Sequence, residues 1–233
     1  MMKQIEVEEL FDLTHTIAKN IFSDTVYAYE VLPEIHDFIL ELGNTLSTDT
    51  YEKRGEDIWI AKSAKVAPSA SINGPVIIDE DAEVRHCAFI RGNAIVGKGA
   101  VVGNSTELKN VILFDKVQVP HYNYVGDSIL GYCSHMGAGS ITSNVKSDKT
   151  PVVIHANDIA SEKEEGTESS SLATGLKKMG AILGDYVEVG CGSVLNPGTV
   201  IGKNSNIYPL SSVRGVIAAD SIYKKQGEVA EKR

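Results

Sequence analysis

IDEDAEVRHCAFIRGNAIVGKGAVV, residues 78–102, carries an aliphatic side chain at every sixth position. The same period extends in both directions, through Ile60, Val66, Ile72, Ile78, Val84, Ile90, Val96, Val102, Leu108 and Phe114. An amphipathic helix would repeat every three or four residues. A fixed six-residue period is typical of a parallel β-helix, in which three such units close one triangular coil. The sequence therefore predicts an all-β solenoid whose periodic residues face its interior.

The period is interrupted once and then returns. It slips from Pro120 onward, is absent from residues 146–180, and resumes at Leu183, Val189, Leu195, Ile201, Ile207 and Val213. We expect a β-helix domain over residues 59–214 that contains an inserted loop at 146–180. The polar run SEKEEGTESSS (161–171) is typical of a mobile loop. Residues 215–233 are expected to form a C-terminal tail that ends in a frayed helix.

Residues 1–58 follow a different pattern and are predicted to be helical. Apolar residues from Leu10 to Ile21 indicate an amphipathic helix, and a second helix is expected from Pro33 to Gly43. The favoured interpretation is a helical N-terminal cap that closes the open end of the solenoid. The alternative is a docking segment for a partner protein.

Composition restricts the class of protein. The 233 residues carry a formal charge of −9, which argues against nucleic acid as the main partner. The three cysteines are odd in number and form no CxxC pair, and no apolar run reaches the length of a signal peptide or a membrane span. We expect a cytoplasmic protein with free thiols.

Two positions suggest chemistry from their residue types alone. Arg91 and Lys109 are 18 residues apart, so we expect them to stack on neighbouring coils about 4.8 Å apart. Two stacked cations repel each other unless an anion shares them, which makes the pair a candidate phosphate site. The alternative is a pair of solvated surface residues. His121 lies where the period slips, and a neutral imidazole suits a general base, although a lone histidine is more often structural.

The strings GNSTELKN (103–110) and VPHYNYVGDSILGYCSHMGAGSITSNV (119–145) resemble a known family. They are similar to the acetyltransferase domain of bifunctional glucosamine-1-phosphate acetyltransferase/uridyltransferases and of archaeal sugar-1-phosphate nucleotidylyltransferases. The resemblance covers residues 60–213. It implies a left-handed parallel β-helix of hexapeptide repeats that assembles as a homotrimer. It also implies transfer of an acetyl group from acetyl-CoA, without a metal, to an amino-sugar 1-phosphate in the UDP-N-acetylglucosamine or nucleotide-sugar pathway.

The resemblance also assigns site residues. His121 is the implied general base, and a backbone N–H within residues 137–139 is the expected donor to the oxyanion. The implied substrate-binding residues are Arg91, Lys109, Tyr124, Asn144 and Lys149. The implied acetyl-CoA-binding residues are Ala138, Cys191 and Pro209.

Departures from the family pattern leave other functions open. His135 and Val145 replace an Asn and a Tyr of the bacterial branch, so the acceptor sugar is open. Residues 1–58 are too short for a nucleotide-binding domain and contain no glycine-rich phosphate loop, so no nucleotidyltransferase activity is expected from this chain. One alternative is a non-catalytic module that binds sugar phosphates or docks a separate nucleotidyltransferase. Another is a γ-carbonic-anhydrase-like zinc enzyme that uses His86, His121 and His135.

Overall fold

The structure, a computed structural model, describes residues 2–156, 171–225 and 228–231. The strands are β1 (Tyr51–Lys53), β2 (Ile58–Ala61), β3 (Lys65–Val66), β4 (Ser71–Ile72), β5 (Val76–Ile78), β6 (Glu83–Val84), β7 (Phe89–Ile90), β8 (Ala94–Val96), β9 (Val101–Asn104), β10 (Glu107–Leu113), β11 (Gln118–His121), β12 (Tyr124–Leu130), β13 (His135–Met136), β14 (Ile141–Thr142), β15 (Val153–His155), β16 (Ser171–Ala173), β17 (Ala181–Leu183), β18 (Glu188–Val189), β19 (Val194–Leu195), β20 (Thr199–Ile201), β21 (Asn206–Ile207), β22 (Ser212–Val213), β23 (Val216–Ile217), β24 (Ser221–Lys225) and β25 (Glu228–Glu231). Most of these strands pair in parallel, one coil with the next.

The strands form the three faces of a triangular prism. One face stacks β2, β5, β8, the ends of β10 and β12, β17, β20 and β23. A second face stacks β3, β6, β9, β11, β13, β18, β21 and β24. The third stacks β4, β7, the beginnings of β10 and β12, β14, β19 and β22. The predicted left-handed parallel β-helix is confirmed.

The coil length changes earlier than the sequence suggested. Ile78 pairs with Val96, and Val96 pairs in turn with Leu113. The coil that runs from Val96 to Leu113 is therefore one residue shorter than the coil that runs from Ile78 to Val96. The missing residue is at the corner after Leu108, where Asn110 adopts a left-handed φ of 57°. The period therefore slips at this corner and not at Pro120, because the turn between the two halves of β10 is one residue shorter than the turn after β7.

Phe114 consequently leaves the interior of the solenoid. It follows Leu113 at a corner, opposite Gly97 of the preceding coil. Its ring is fully buried against Phe11 and Phe22, with centroids 4.8 and 6.0 Å away. Phe114 thus anchors the N-terminal segment instead of filling the coil.

The N-terminal segment contains less regular helix than expected. The α-helices are α1 (Val7–Leu10) and α2 (Ile35–Gly43), and the 3₁₀ helices are Lys3–Ile5, Leu13–His15, Lys19–Phe22 and Ala28–Val31. The single helix predicted from Leu10 to Ile21 is wrong, because Phe11 is extended and the Asp12 side chain accepts from the Thr14 N–H to start a new turn. The helix predicted up to Gly43 is confirmed as α2.

The helical part of the segment lies along one side of the prism rather than across its end. Helix α2 packs on β5, β8 and β10, and the Ala28–Val31 turn contacts β12. Together they cover a ladder of outward-facing side chains on the first face, which we call the covered face: Trp59, Ile77, Ile95, Ile112 and Ile129, all at most 5% exposed. The end-cap interpretation holds only for β1, which pairs antiparallel with β2 at the first coil, and not for the helices. The docking alternative loses its apolar surface, since that surface is buried against the segment's own solenoid.

The base of the inserted loop closes the next coil. Leu130 pairs directly with Leu183, and the antiparallel hairpin β15–β16 lies between them in the sequence. The Gly180 N–H donates to the Asp127 carbonyl at 2.8 Å, and the Met179 N–H donates to the Asn144 carbonyl at 3.0 Å. Of the polar run 161–171, residues 161–170 lie outside the described residues, so its mobility stays a prediction.

The described residues of the C-terminal tail form strands and no helix. Strand β24 pairs in parallel with β21 and extends the solenoid to residue 225, and β25 returns antiparallel to β24. The predicted frayed helix is therefore wrong, and regular strand pairing continues past residue 214. Cys87, Cys133 and Cys191 are free. Among the residues that the structure describes, no helix is long and apolar enough to cross a membrane.

Candidate functional site

Four of the sequence-predicted residues stack in one column at a corner of the prism. The His121 carbonyl accepts from the Gly139 N–H at 3.0 Å, and the Ala138 carbonyl accepts from the Gly192 N–H at 2.9 Å. The Cys191 carbonyl accepts from the Leu210 N–H at 2.9 Å. One residue from each of four successive coils therefore lies along this edge, and we call the set the His121 column: His121, Ala138, Cys191 and Pro209. All four are exposed.

A repeated backbone conformation builds this column. The residue that follows each member is left-handed in every coil: Tyr122 (φ 52°), Gly139 (φ 71°), Gly192 (φ 68°) and Leu210 (φ 58°). The two glycines lie beside Ala138 and Cys191, and a Cβ on Gly139 would meet nothing within 4 Å. A ligand can therefore approach the backbone closely at the middle of the column.

The His121 column contains one backbone N–H that is available to donate to an oxyanion. The Gly137 N–H donates to the Val189 carbonyl at 2.7 Å, and the Gly139 N–H is used by His121. In the described parts of the chain, only the Ala138 N–H of this tripeptide has no acceptor. The donor to an oxyanion, expected anywhere in residues 137–139, is therefore narrowed to Ala138.

Arg91 and Lys109 stack on neighbouring coils as expected, since Ile90 pairs with Leu108. Each cation, however, has its own carboxylate. Arg91 Nη1 lies 2.7 Å from Glu107 Oε1, and Lys109 Nζ lies 2.7 Å from Asp127 Oδ1. The argument that the stacked pair requires a bound anion is therefore weaker, because side chains of the chain supply the countercharge.

Asp127 links several predicted substrate-binding residues. Its carboxylate is 4% exposed and accepts from Asn144 Nδ2 at 2.5 Å through Oδ2. Asn144 Nδ2 also donates to Tyr124 Oη at 3.1 Å. We call Lys109, Tyr124, Asp127 and Asn144 the Asp127 cluster. Sequence reasoning missed Asp127, although it follows Lys109 at the same spacing that separates Lys109 from Arg91.

Charge and burial set the ionisation of the cluster. Burial raises the pKa of Tyr124, the negative charge of Asp127 raises it further, and the hydrogen bond from Asn144 opposes the rise. The phenol therefore stays neutral and keeps an O–H to donate. The hydrogen bond to Glu107 raises the pKa of Arg91.

The His121 column and the Asp127 cluster border the same face, which we call the site face. Strand β12 begins three residues after His121, crosses this face, and turns the corner at Gly126 and Asp127. The outward residues between the two edges are Phe89, Glu107, Tyr124, Ile141 and Val194. The structure thus brings the predicted residues into two groups across one face.

Lys149 joins neither group. It is exposed in the 146–150 turn, where Asp148 accepts from the Thr150 N–H at 3.0 Å. Its side chain has no hydrogen bond within the described ranges. Its role in substrate binding stays a prediction from resemblance.

The three histidines of the zinc-enzyme alternative lie apart within the chain. His86 occupies the His121 edge two coils earlier, with Asn104 between them. His135 lies on the second face, where its Nδ1 is 2.8 Å from Glu188 Oε2. No group of three potential metal-ligating side chains occurs in residues 2–156, 171–225 and 228–231.

Comparisons with known proteins give one matching family model and similar curated relatives. The family model described as "GMPPB C-terminal domain" matches residues 72–203. The "Bifunctional protein GlmU" of Methanococcus vannielii is 34% identical over 95% of this chain and 55% of its own length. The "Bifunctional sugar-1-phosphate nucleotidylyltransferase/acetyltransferase" of Sulfurisphaera tokodaii is 24% identical over 96% of this chain and 57% of its own length. The chain thus spans about half the length of the curated relatives it matches.

A solved structure supports the fold. The "polySia specific acetyltransferase NeuO" superposes with a TM-score of 0.51 at 14% identity, over 72% of this chain and 80% of that one. At that identity the likeness shows the architecture alone.

Proposed function

The chain belongs to the GMPPB C-terminal domain family, and from that premise we propose that it transfers an acetyl group from acetyl-CoA to the amine of an amino-sugar 1-phosphate. The observation that carries the proposal is the His121 column. It places the exposed His121 one coil from the Ala138 N–H, which has no acceptor among the described residues, with glycines beside it. The name of the Sulfurisphaera tokodaii relative, a bifunctional sugar-1-phosphate nucleotidylyltransferase/acetyltransferase, is consistent with this reaction.

In the proposed reaction, the two edges of the site face have different roles. Arg91 and Lys109 hold the sugar phosphate, since a guanidinium and an ammonium each keep N–H donors beyond those used by Glu107 and Asp127. Tyr124 and Asn144 contact the sugar. Fixing the phosphate presents the amine toward the His121 edge in one orientation.

At the His121 edge, the neutral amine attacks the thioester carbonyl while His121 accepts a proton from the amine. The Ala138 N–H stabilises the negative oxygen of the tetrahedral intermediate. The C–S bond then breaks, the CoA thiolate leaves, and the amide product remains on the sugar. No covalent enzyme intermediate is needed, so Cys191 lines the path of the acetyl-CoA arm together with Pro209 and is not a nucleophile.

The proposal includes the assembly expected from the resemblance. A cytoplasmic homotrimer would place acetyl-CoA between adjacent solenoids, along the exposed His121 columns. The sugar is the open choice, and glucosamine 1-phosphate, as in the UDP-N-acetylglucosamine pathway, is the first candidate.

A thiol-release assay tests the function. Purified protein is incubated with acetyl-CoA and either glucosamine 1-phosphate or galactosamine 1-phosphate, and free CoA thiol is followed. We expect release that requires the sugar phosphate and that falls by about 10²–10⁴-fold in His121→Ala. His86→Ala, on the same edge two coils away, is the matched control and should retain activity. Undiminished release in His121→Ala removes His121 from the mechanism. No release with either sugar would favour a non-catalytic sugar-phosphate-binding module.

A further inference from the structure

The hydrogen bonds of the Asp127 cluster fix the orientation of an amide. A carboxylate can only accept hydrogen bonds, so the group that Asn144 presents to Asp127 must be its NH₂ and not its carbonyl oxygen. Both Nδ2 protons are then engaged, one by Asp127 Oδ2 at 2.5 Å and one by Tyr124 Oη at 3.1 Å. The usual ambiguity between the two ends of an Asn side chain is therefore removed by chemistry.

This orientation leaves Asn144 with a free acceptor. Among the described residues no group donates to its Oδ1, and the side chain is half-buried at the edge of the site face. The free oxygen can only bind a hydrogen-bond donor. An amine or a hydroxyl of a sugar provides such a donor, and a carboxylate or a fully ionised phosphate does not.

Asp127 belongs to a second column of corner residues, in which it is a carboxylate among amides. The same corner position is an amide in three other coils and a carboxylate in one: Asn93, Asn110, Asp127 and Asn144. Amides suffice to connect the column, since Asn93 Nδ2 donates to Asn110 Oδ1 at 3.3 Å. The carboxylate differs in that Oδ1 also accepts from Lys109 Nζ at 2.7 Å, which neutralises one of the two stacked cations.

We infer that Asp127 is the positioning residue of the acceptor site: it holds Asn144 Oδ1 as an acceptor for an N–H or O–H group of the amino sugar and fixes the Lys109 ammonium for the neighbouring phosphate. The inference rests on the proposed function and adds to it the residue that orients the sugar-binding side chains. Asp127 itself, nearly fully buried, acts through Asn144 and Lys109.

Asp127→Asn tests the inference with almost no change in shape. The amide introduced by this substitution can donate to Asn144, which allows the Asn144 amide to flip and present NH₂ to the substrate. We expect the KM for the amino-sugar 1-phosphate to rise by about tenfold or more, with the KM for acetyl-CoA unchanged. Asp185→Asn is the matched control, since Asp185 is equally buried at a different corner and binds the backbone N–H groups of Asp12 and Tyr132. It should leave both KM values near wild type at neutral pH.

A double variant separates positioning from a general structural effect. In an Asn144→Ala background, Asp127→Asn should raise the KM for the amino-sugar 1-phosphate by a smaller factor than in wild type, because one of the two groups it positions is gone. An equal factor in both backgrounds, or a wild-type KM in Asp127→Asn, overturns the inference.

A measurement without turnover keeps the test independent of the proposed reaction. In the NMR spectrum of the ligand-free protein, the Asn144 Nδ2 protons should be protected from exchange, and Asp127→Asn should shift them and remove the protection. Unchanged Asn144 resonances in Asp127→Asn contradict the positioning role. A wild-type protein that shows these resonances but releases no thiol would refute the proposed function and leave the positioning role intact.

Discussion

At the scale of single residues, the backbone conformation of the His121 column decides which side chains are tolerated. Tyr122 and Leu210 adopt the left-handed conformation with full side chains, while Gly139 and Gly192 adopt it without any. Strain alone therefore does not require glycine at this corner. The proposed approach of a thioester to the Ala138 N–H does require glycine, because a side chain at position 139 would occupy that space.

Replacing Gly139 by Ala tests this distinction. The left-handed conformation should cost about 1–2 kcal/mol of stability, measured by chemical denaturation. The added methyl group meets nothing in the chain itself, so the larger effect should be a raised KM for acetyl-CoA. Gly103→Ala is the contrast, because its Cβ would overlap the Pro120 carbonyl group and should prevent folding. A Gly139→Ala variant with an unchanged KM would place the thioester elsewhere.

Asp185 makes stability depend on pH in a definite direction. Burial raises the pKa of its carboxyl above the ordinary value of 3.8, although the backbone N–H groups of Asp12 and Tyr132 oppose the rise. Between 3.8 and the raised value, the folded state holds a proton that the unfolded state has released. The stability that Asp185 contributes should therefore fall as pH rises through this window.

The measurement compares unfolding free energies of wild type and Asp185→Asn across acidic pH. The wild-type value minus that of the variant should decrease with rising pH and level off once Asp185 is ionised in both states. A difference that increases with pH would mean that the hydrogen bonds outweigh burial.

At the scale of elements, the N-terminal segment and the covered face depend on each other. Phe114, at a corner of the solenoid, is fully buried between Phe11 and Phe22 of the segment. Phe114→Ala should reduce the free energy of unfolding by about 3–5 kcal/mol, as large deletions in a core do. Val26→Ala, in the same segment but 52% exposed, should change it little. A small loss in Phe114→Ala would show that the segment is held mainly by its other contacts.

These elements also show what the sequence could and could not predict. The periodic inward residues were predicted from their six-residue spacing, because each strand of a coil repeats the same inward position. The covered face could have been found from strands with three successive buried residues, such as VII at 76–78, since a strand exposed on one side alternates. The shortened corner at Asn110 has no such signal: Phe114 is apolar and continues the period, although it faces the N-terminal segment.

Some residues of the candidate site were predicted from the sequence, and others were missed. His121, Ala138, Cys191 and Pro209 come from distant parts of the chain, and only the resemblance connected them. Glu107 and Asp127 were missed because carboxylates near a supposed phosphate site are counterintuitive. Their positions could have been found by counting, since Glu107 pairs with Phe89 and Asp127 follows Lys109, each at a spacing of 18 residues.

At the scale of the whole molecule, the side-on position of the N-terminal segment can be tested by deletion. Removing residues 2–50 should expose Ile77, Ile95 and Ile112 to water as one apolar strip. We expect increased binding of a hydrophobic dye and aggregation at concentrations where the intact chain is monodisperse. A soluble truncated protein that binds no dye would mean that the strip is covered by another part of the chain.

The assembly is tested by light scattering. The proposed homotrimer should have three times the 25.1 kDa mass of one chain. A monomer with full acetyl-transfer activity would show that a single solenoid contains the whole site, and the placement of acetyl-CoA between subunits would then be wrong.

The path of the N-terminal segment has a mechanical consequence. Near its start, the Leu10 carbonyl accepts from the Asp185 N–H, and at its end β1 pairs with β2 in the first coil. The segment therefore runs alongside five successive strands of the covered face and ties the first coil to the coil that contains Asp185. A force that pulls the coils apart along the prism axis must stretch this tie as well as the hydrogen bonds between coils. The molecule is thus reinforced lengthwise on one side only, and under tension it should open first at the two faces that the segment does not cover.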